Sequence, residues 1–509
     1  LRVFIRKKRN KSGSYSFHIV RKEGRRQVLV RTVGTAATPE RVDALALVAK
    51  QILAEITQQQ AMNFVFDQDE KFITQLKDNI QSIRIAGADL ILGKLFDEVG
   101  FNQIKEKLFR HLVISRICYP GSKLKTVEYL LRHHQQFYDV DAVYRYMDKL
   151  NHNHKEQLQR ISYEHTLDLF SGVMSVVFYD VTTLYFEASA EDDLRKMGFS
   201  KDGKSQHPQI VLGLLVSAGG YPLAFEMFEG NKFEGQTMLP VIEKFKIKFE
   251  LKDIIIVADA GLLSNENIAA LTKLDYKFIL GARIKNETNR VQKNILSLNL
   301  KNGQSQIIIK QDGMKLIVSY SQSRAANDKG NRERGLKRLE KLISKGKLTK
   351  QHINNRGYNK YLKLEGDVTI KINYAKCKED ERWDGLKGYL TNTSLCADEV
   401  IEHYRHLWQI EKAFRISKTD LKVRPIYHRL KHRIETHLII AFCSYKIYKE
   451  LERQLQVRKT NISAEKAIAI MQSIFAVKTI LPASQKTIEI VMAKTQEQKM
   501  LLSFFEIQF

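Results

Sequence analysis

The sequence has little that would staple or anchor it. Its four cysteines, Cys118, Cys377, Cys396 and Cys443, are scattered, with no CxxC pair and no Cys/His cluster at zinc spacing. That pattern argues against a disulfide framework and against structural zinc. No apolar run reaches the roughly 18 residues of a membrane-spanning helix. The longest, HPQIVLGLLVSAGG and THLIIAFCSY, fall short, and no signal-peptide pattern opens the chain. A cytoplasmic protein with no membrane role is the expectation. Only two of 509 residues are Trp, and internal repeats and low-complexity tracts are missing. Acid is short as well: 57 Asp and Glu face 83 Lys and Arg, a net charge of +26. Such an excess points to a polyanionic partner, with nucleic acid first. A hydrophobic fraction of 43% over this length is enough to bury a core of about two to four domains.

The pattern changes several times along the chain. Residues 1–37 alternate basic and apolar positions (VFIRKK, SYSFHIV, RQVLVRTV) between the turn signals NKSGS and KEG, which predicts a basic β-meander. Residues 38–170 read as helices, a scaffold or a DNA-binding region. From 171 to 285 short β-branched runs take over. VMSVVFYD, PQIVLGLLVSA, YPLAFEMFEG, DIIIVADAG and YKFILGA predict strands, with helices before and after the fourth, in the order β-β-β-α-β-α-β. A mixed α/β sheet flanked by helices follows from that order. Residues 286–390 form an insertion domain of polar strands around a charged helix, 391–450 return to the core, and 451–509 read as a C-terminal helical region, a candidate for dimerisation.

Asp180 and Asp259 each close an apolar strand, where side chains reach the open edge of a sheet and where ligand sites of such sheets lie. Either one alone also reads as a turn or helix cap. Together they suggest a divalent metal, because Mg²⁺ takes hard oxygen ligands from one or two carboxylates plus water and phosphate. Two such ions about 3.5–4 Å apart can clamp the attacking and leaving oxygens of a phosphodiester. The third carboxylate is found in YRHLWQIEKAFRISK, residues 404–418. As one helix of about 398–418, this stretch sets Tyr404, Trp408, Glu411, Arg415 and Lys418 within about 40° of one meridian. A lone acid among rings and cations fits a carboxylate that holds metal while its neighbours hold phosphates.

The stretches FYDVTTLYFE, SKDGKSQHPQIVLGLLVSAGGYPLAFEMFEGN, IIIVADAGLLSNENI and YRHLWQIEKAFRISKTDLKVRPIYHR together resemble the DDE transposases of bacterial insertion sequences. More narrowly they resemble the IS-four superfamily, whose last acid lies in a Tyr-Arg-Glu-Lys signature. The resemblance implies an RNase H-like fold with a β-rich insertion before the last acid. It also implies cut-and-paste DNA transposition, with Mg²⁺-dependent cleavage at terminal inverted repeats and strand transfer into target DNA. Two Mg²⁺ ions, replaceable by Mn²⁺, would sit on Asp180, Asp259 and Glu411, and a homodimer would assemble on double-stranded DNA. The signature tyrosine maps to Tyr404 and the lysine to Lys418, with six residues between Glu411 and Lys418. The arginine position carries Leu407 instead; Arg405 is the nearest guanidinium and points about 100° round the helix.

Softer DNA-contact candidates are Trp383, which the resemblance places where relatives stack a flipped base, and the basic run Arg424, His428, Arg429 and Arg433. A packing role competes for Trp383, and a solvated basic face for the run. Two other functions share these features. One is an RNase H-like nuclease without strand transfer; the other is a transposase-derived DNA-binding regulator with dead chemistry.

Overall fold

The computed structural model describes residues 2–508 apart from 201–202, 252–253, 355–356, 366–368 and 483, and leaves out the side chains of 58–69, 71 and 350. The chain divides into two compact units: Leu1–Arg84 with Ala476–Met492, and Ile85–Phe475 with Ala493–Phe509.

In the first unit, β1 (Val3–Arg9), β2 (Tyr15–Glu23) and β3 (Arg26–Ala36) form the antiparallel basic meander that the alternation predicts. The middle strand buries Phe17, Ile19 and Val20, while Arg6, Lys7, Lys8 and Arg9 of its neighbour stay exposed. The NKSGS turn closes on Gly13 at φ +82°, a left-handed backbone open to a residue without Cβ. Helix α1 (Pro39–Asn79) opens on a proline, where no helical amide is lost, and lays Val42 and Ala49 against Phe17 and Ala36. Strand β4 (Ile80–Ile85) follows it.

The second unit begins with α2 (Gly87–Val99), α3 (Lys107–Cys118), α4 (Lys123–His134) and α5 (Val140–Leu169). An antiparallel meander comes next: β5 (Val176–Tyr185), β6 (Gln209–Ser217) and β7 (Pro222–Glu229), the last turn made at Gly219 and Gly220. Helix α6 (Met238–Phe249) leads to β8 (Ile255–Ala258), and α7 (Asn265–Lys273) to β9 (Lys277–Ala282). Strand β8 runs parallel to β5, and β9 parallel to β8. The order β7-β6-β5-β8-β9 is therefore the RNase H-like mixed sheet. One boundary differs from the expectation. Strand β5 does not stop at Asp180 but continues to Tyr185, because VTTLY is β-branched and aromatic and pairs with β6 along its length.

The insertion supplies α8 (Asn289–Ser297), β10 (Ser305–Ile309), β11 (Lys315–Tyr320), α9 (Gln322–Ser344), β12 (Leu362–Glu365), β13 (Thr369–Ile372), α10 (Tyr374–Glu381) and β14 (Leu386–Thr391). Its strands β14, β11 and β10 add in that order to the free edge of β9, so the sheet has eight strands. Strands β12 and β13 form a separate pair, with Leu339 of α9 and Cys377 of α10 buried against Tyr361, Leu362 and Ile372.

The helix read over 398–418 is two helices, α11 (Ala397–Arg405) and α12 (Trp408–Thr419). Between them the amides of His406, Leu407, Gln409 and Ile410 bond three residues back rather than four. Three-residue turns advance about 120° per residue instead of 100°, so Tyr404 leaves the meridian shared by Trp408, Glu411, Arg415 and Lys418. Helix α13 (Lys431–Val457) follows, buried over most of its length against α2, α3, α5 and β7.

Alternation along the sheet assigns its two faces. Val177, Tyr179 and Val181 of β5, with Ile256 and Ala258 of β8 and Phe278 and Leu280 of β9, share one buried cluster with Met238, Val241, Ile242 and Phe245 of α6. Helices α12 and α13 pack on the other face. After α14 (Ala464–Met471) the chain forms β15 (Phe475–Ile480) and β16 (Thr487–Met492), then α15 (Gln496–Phe504). The helical reading of 451–509 is corrected here: FAVKTI and TIEIVM are β-branched and alternating, and β15 finds an edge at β4. Among the described residues, no helix is long and apolar enough to cross a membrane.

Candidate active site

Tyr179 of β5 pairs with Ala258 of β8 in parallel register, and each is followed by an acid. Tyr179 and Ala258 both face the α6 cluster, so Asp180 and Asp259 point to the opposite face, side by side on strands about 4.8 Å apart. Asp180 Oδ1 accepts the amide of Val181 at 2.7 Å. Asp259 Oδ1 accepts the amides of Gly261 at 2.8 Å and Leu262 at 3.3 Å. The capping role weighed for Asp259 is thus present, and it orients the carboxylate at the mouth of the sheet.

Asp259 and Glu411 line one cavity of about 990 Å³. Glu411 is exposed on the first turn of α12 and forms no hydrogen bond or ion pair among the described residues. Asp180 is not among the lining residues. The structure thus sets Asp180 beside Asp259, and Asp259 on the same wall system as Glu411. Among the described residues, no three acidic, His or Cys side chains gather into one metal-holding group. The adjacent pair fits a divalent cation in donor chemistry, two hard carboxylate oxygens next to a cavity wide enough for phosphate and water.

Cations outnumber acids on the cavity walls, which also carry aromatic rings. Arg283 and Lys285 follow β9, Arg324 stands on α9, Lys387 on β14 and Arg405 on α11. Lys285 is held by Asp380 at 2.8 Å, and Arg332 is locked onto Asp384 at 2.6 and 2.8 Å. Arg405 is exposed, 3.5 Å from Glu402. Buried Tyr404 lies edge-on to Tyr389 at 5.0 Å, with the Lys387 ammonium 4.3 Å from its ring centre. Burial, then the charge of Asp259, pushes the Tyr404 hydroxyl well above its ordinary range, so it stays a hydrogen-bond donor. Burial and the charge of Arg324 lower the Lys387 amine, while Glu411 opposes them.

The remaining predicted contacts scatter. Trp408 is 50% exposed at the cavity. Trp383 packs on the cluster of Ile284, Ile308 and Leu316, the packing role weighed for it, and also lines the cavity. Arg415 is exposed further along α12, and Lys418 lies under the sheet beside Thr182. Arg433 donates from Nε and Nη2 to the two oxygens of Asp148 at 2.7 and 2.8 Å, which ties the start of α13 to α5. Arg429 is exposed, whereas His428 packs against Tyr144 and His437. Burial, with the charges of Lys123 and Arg116, pushes His428 down to about 3, so it is neutral near pH 7 and does not act as a cation there. Of the cavity cations, Arg283, Lys285, Arg324 and Lys387 escape sequence reasoning. The first two carry a usable signal, since they directly follow a parallel strand, the place where ligands of such sheets bind.

A family profile described as the transposase DDE domain matches residues 171–447, just over half of the chain. Among solved structures, the chain is similar to a piggyBac transposase synaptic complex with hairpin DNA at 10% identity and a TM-score of 0.37, covering 72% of this chain and 69% of that one. It is also similar to the Mos1 transposase paired-end complex with left transposon end, at 10% identity and a TM-score of 0.16, covering 31% of this chain and 53% of that one. No curated protein matches.

Proposed function

Because the chain belongs to the transposase DDE-domain family, we propose that it binds the terminal inverted repeats of its own insertion sequence and catalyses strand cleavage and strand transfer. The observation that carries this reading is the pair Asp180 and Asp259, at one register on neighbouring parallel strands, next to a cationic cavity that also holds Glu411. Asp180, Asp259 and Glu411 are the proposed ligands of a divalent metal, with Mg²⁺ the expected ion. When bound, such a cation supplies Lewis acidity to the oxygens of the scissile phosphodiester.

The chain's own residues do the rest. Arg283, Arg324, Lys387 and Arg405 draw in and orient the phosphate backbone, and Trp408 and Trp383 offer ring faces to an unstacked base. The Tyr404 hydroxyl, kept protonated, donates to a phosphate oxygen rather than accepting a proton. In cleavage, water oxygen bonds to phosphorus as the bond to the 3′-oxygen breaks, leaving a 3′-hydroxyl. In transfer, that hydroxyl attacks a target phosphodiester and releases a new 3′-end. Tyr404, Glu411 and Lys418 support placement in the IS-four branch, with Leu407 where its arginine would stand. A homodimer on DNA follows from the need to cut two ends together.

The test is cleavage of a labelled duplex carrying the inverted repeats that flank the gene, with Mg²⁺ present. We expect nicking at the element end and joining to target DNA. Asp180→Asn should lower the rate by about 10³-fold or more while leaving DNA affinity near that of the parent. Nicking without joining would favour the nuclease, and binding without nicking the inactive regulator. Unchanged cleavage by Asp180→Asn would overturn the site.

A further inference from the structure

A second cavity, about 760 Å³, opens between the α3–α4 turn and the segment that joins α12 to α13. None of its lining residues lines the cavity of Asp259 and Glu411. Five of them are cationic, namely Arg116, Lys123, Lys125, Lys422 and Arg424, and no Asp or Glu is among them. Two of these cations are buried: Arg116 and Lys123 are each only 4% exposed. Neither forms an ion pair among the described residues. Arg116 reaches the carbonyl of Leu421 at a long 3.5 Å, and the Lys123 ammonium has no hydrogen-bond acceptor there.

Two positive groups in a low-dielectric site with no counter-charge are costly, and native structures normally supply the missing anion from a side chain. The bulk chemistry agrees: burial pushes Arg116 down to about 10, and burial with the charge of Arg116 pushes Lys123 well below its ordinary range. No carboxylate offsets either shift. The backbone adds to the same field. Lys123 begins α4, a helix of 12 residues capped by Ser122, so the first-turn amides and the positive end of the helix dipole are at the cavity. The rim carries Tyr119, Tyr144 and Tyr427, of which Tyr427 is 65% exposed.

We propose that this cavity is a phosphate site in which Arg116, Lys123 and the first turn of α4 hold the phosphate group of a nucleic-acid backbone or of a free phosphate. The missing counter-charge is then the ligand itself. Lys123→Met removes the unpaired charge while keeping the bulk of the side chain, so it leaves the empty protein at least as stable as the parent. Arg116→Gln is the second variant.

The experiment is thermal melting of the full chain in anion-poor buffer, titrated with inorganic phosphate. The parent melts higher as phosphate is added, with a saturable dependence, and neither variant follows it. An absent rise in the parent, or an equal rise in all three proteins, overturns the proposal. A second arm assigns the source by measuring affinity for a DNA duplex of arbitrary sequence at several salt concentrations. If Lys123→Met weakens binding about tenfold and reduces the salt slope by about one, the phosphate belongs to nucleic acid. If the phosphate response is lost while DNA affinity is unchanged, the ligand is a free phosphate.

Discussion

At the scale of single residues, the site depends on how closely Tyr404 is seated. A Cβ at Gly281 would lie 2.4 Å from the Tyr404 hydroxyl and 2.9 Å from the backbone amide of Ala260. A side chain can swing aside, but the amide belongs to the turn that orients Asp259 and cannot. Gly281→Ala should therefore destabilise the protein by about 1–3 kcal/mol, the usual cost of overpacking. Adding Tyr404→Phe should recover part of the loss and not all of it, since the clash with Ala260 remains. Denaturant melts of the two variants check this; a Gly281→Ala protein as stable as the parent would show that the ring is not seated against the strand. The acids themselves are legible as residues, because an apolar run that ends in Asp is visible in one dimension. Lys387 is not, because nothing local marks a lysine on an insertion strand as a cavity wall.

At the scale of elements, α13 is the post on which the helical layer stands, and it carries three buried or half-buried acids. Glu452 accepts from Lys412 and Lys449 at 2.8 Å each. Glu450 accepts from Arg453, Gln454 and Tyr221, and Glu435 from Asn151 and Lys155. Burial acts to raise all three carboxyls, yet these hydrogen bonds outweigh it and hold each below the ordinary 4.5. A depressed folded-state pKa means that the unfolded chain binds the proton first as pH falls. The stability these groups contribute is present above about pH 4.5 and is lost progressively below it. Urea midpoints should drop as pH falls below about 4.5, and Glu452→Gln should make that drop shallower. An identical pH profile in the variant would remove Glu452 from the account. The break between α11 and α12 is the element that sequence reasoning misread. No Gly or Pro marks positions 405–408, and the three-residue turns there form as Tyr404 and Leu407 both bury.

At the scale of the whole molecule, 83 Lys and Arg against 57 Asp and Glu leave a net charge of +26 whatever ion pairs form, since each pair uses one of either sign. If DNA binds mainly by displacing counterions, affinity should fall by about 10³-fold or more between about 50 and 200 mM salt for a contact of six or more phosphates. Filter binding or anisotropy across that range measures it, and a salt slope flatter than about −2 would place the affinity elsewhere. The insertion shows why architecture is less legible than its parts. Strands β10, β11 and β13 are legible as polar runs, but β12 and β14 are not, and β14 joins β9 across more than a hundred residues of chain; only that pairing brings Trp383 and Lys387 to the wall that Asp259 faces.

Local patterning by itself determined the N-terminal meander, the strand and helix order of the RNase H-like core, the positive charge, and which acids deserved notice, since period, turn residues and charge are properties of short stretches. Tertiary structure alone decided that Asp180 and Asp259 share one register, that α11 and α12 part company, that Arg433 pairs with Asp148, and that Arg116 and Lys123 are buried together with no acid among the described residues that line their cavity. Those outcomes depend on which distant surfaces meet and what they exclude, and no stretch of chain encodes its own neighbours.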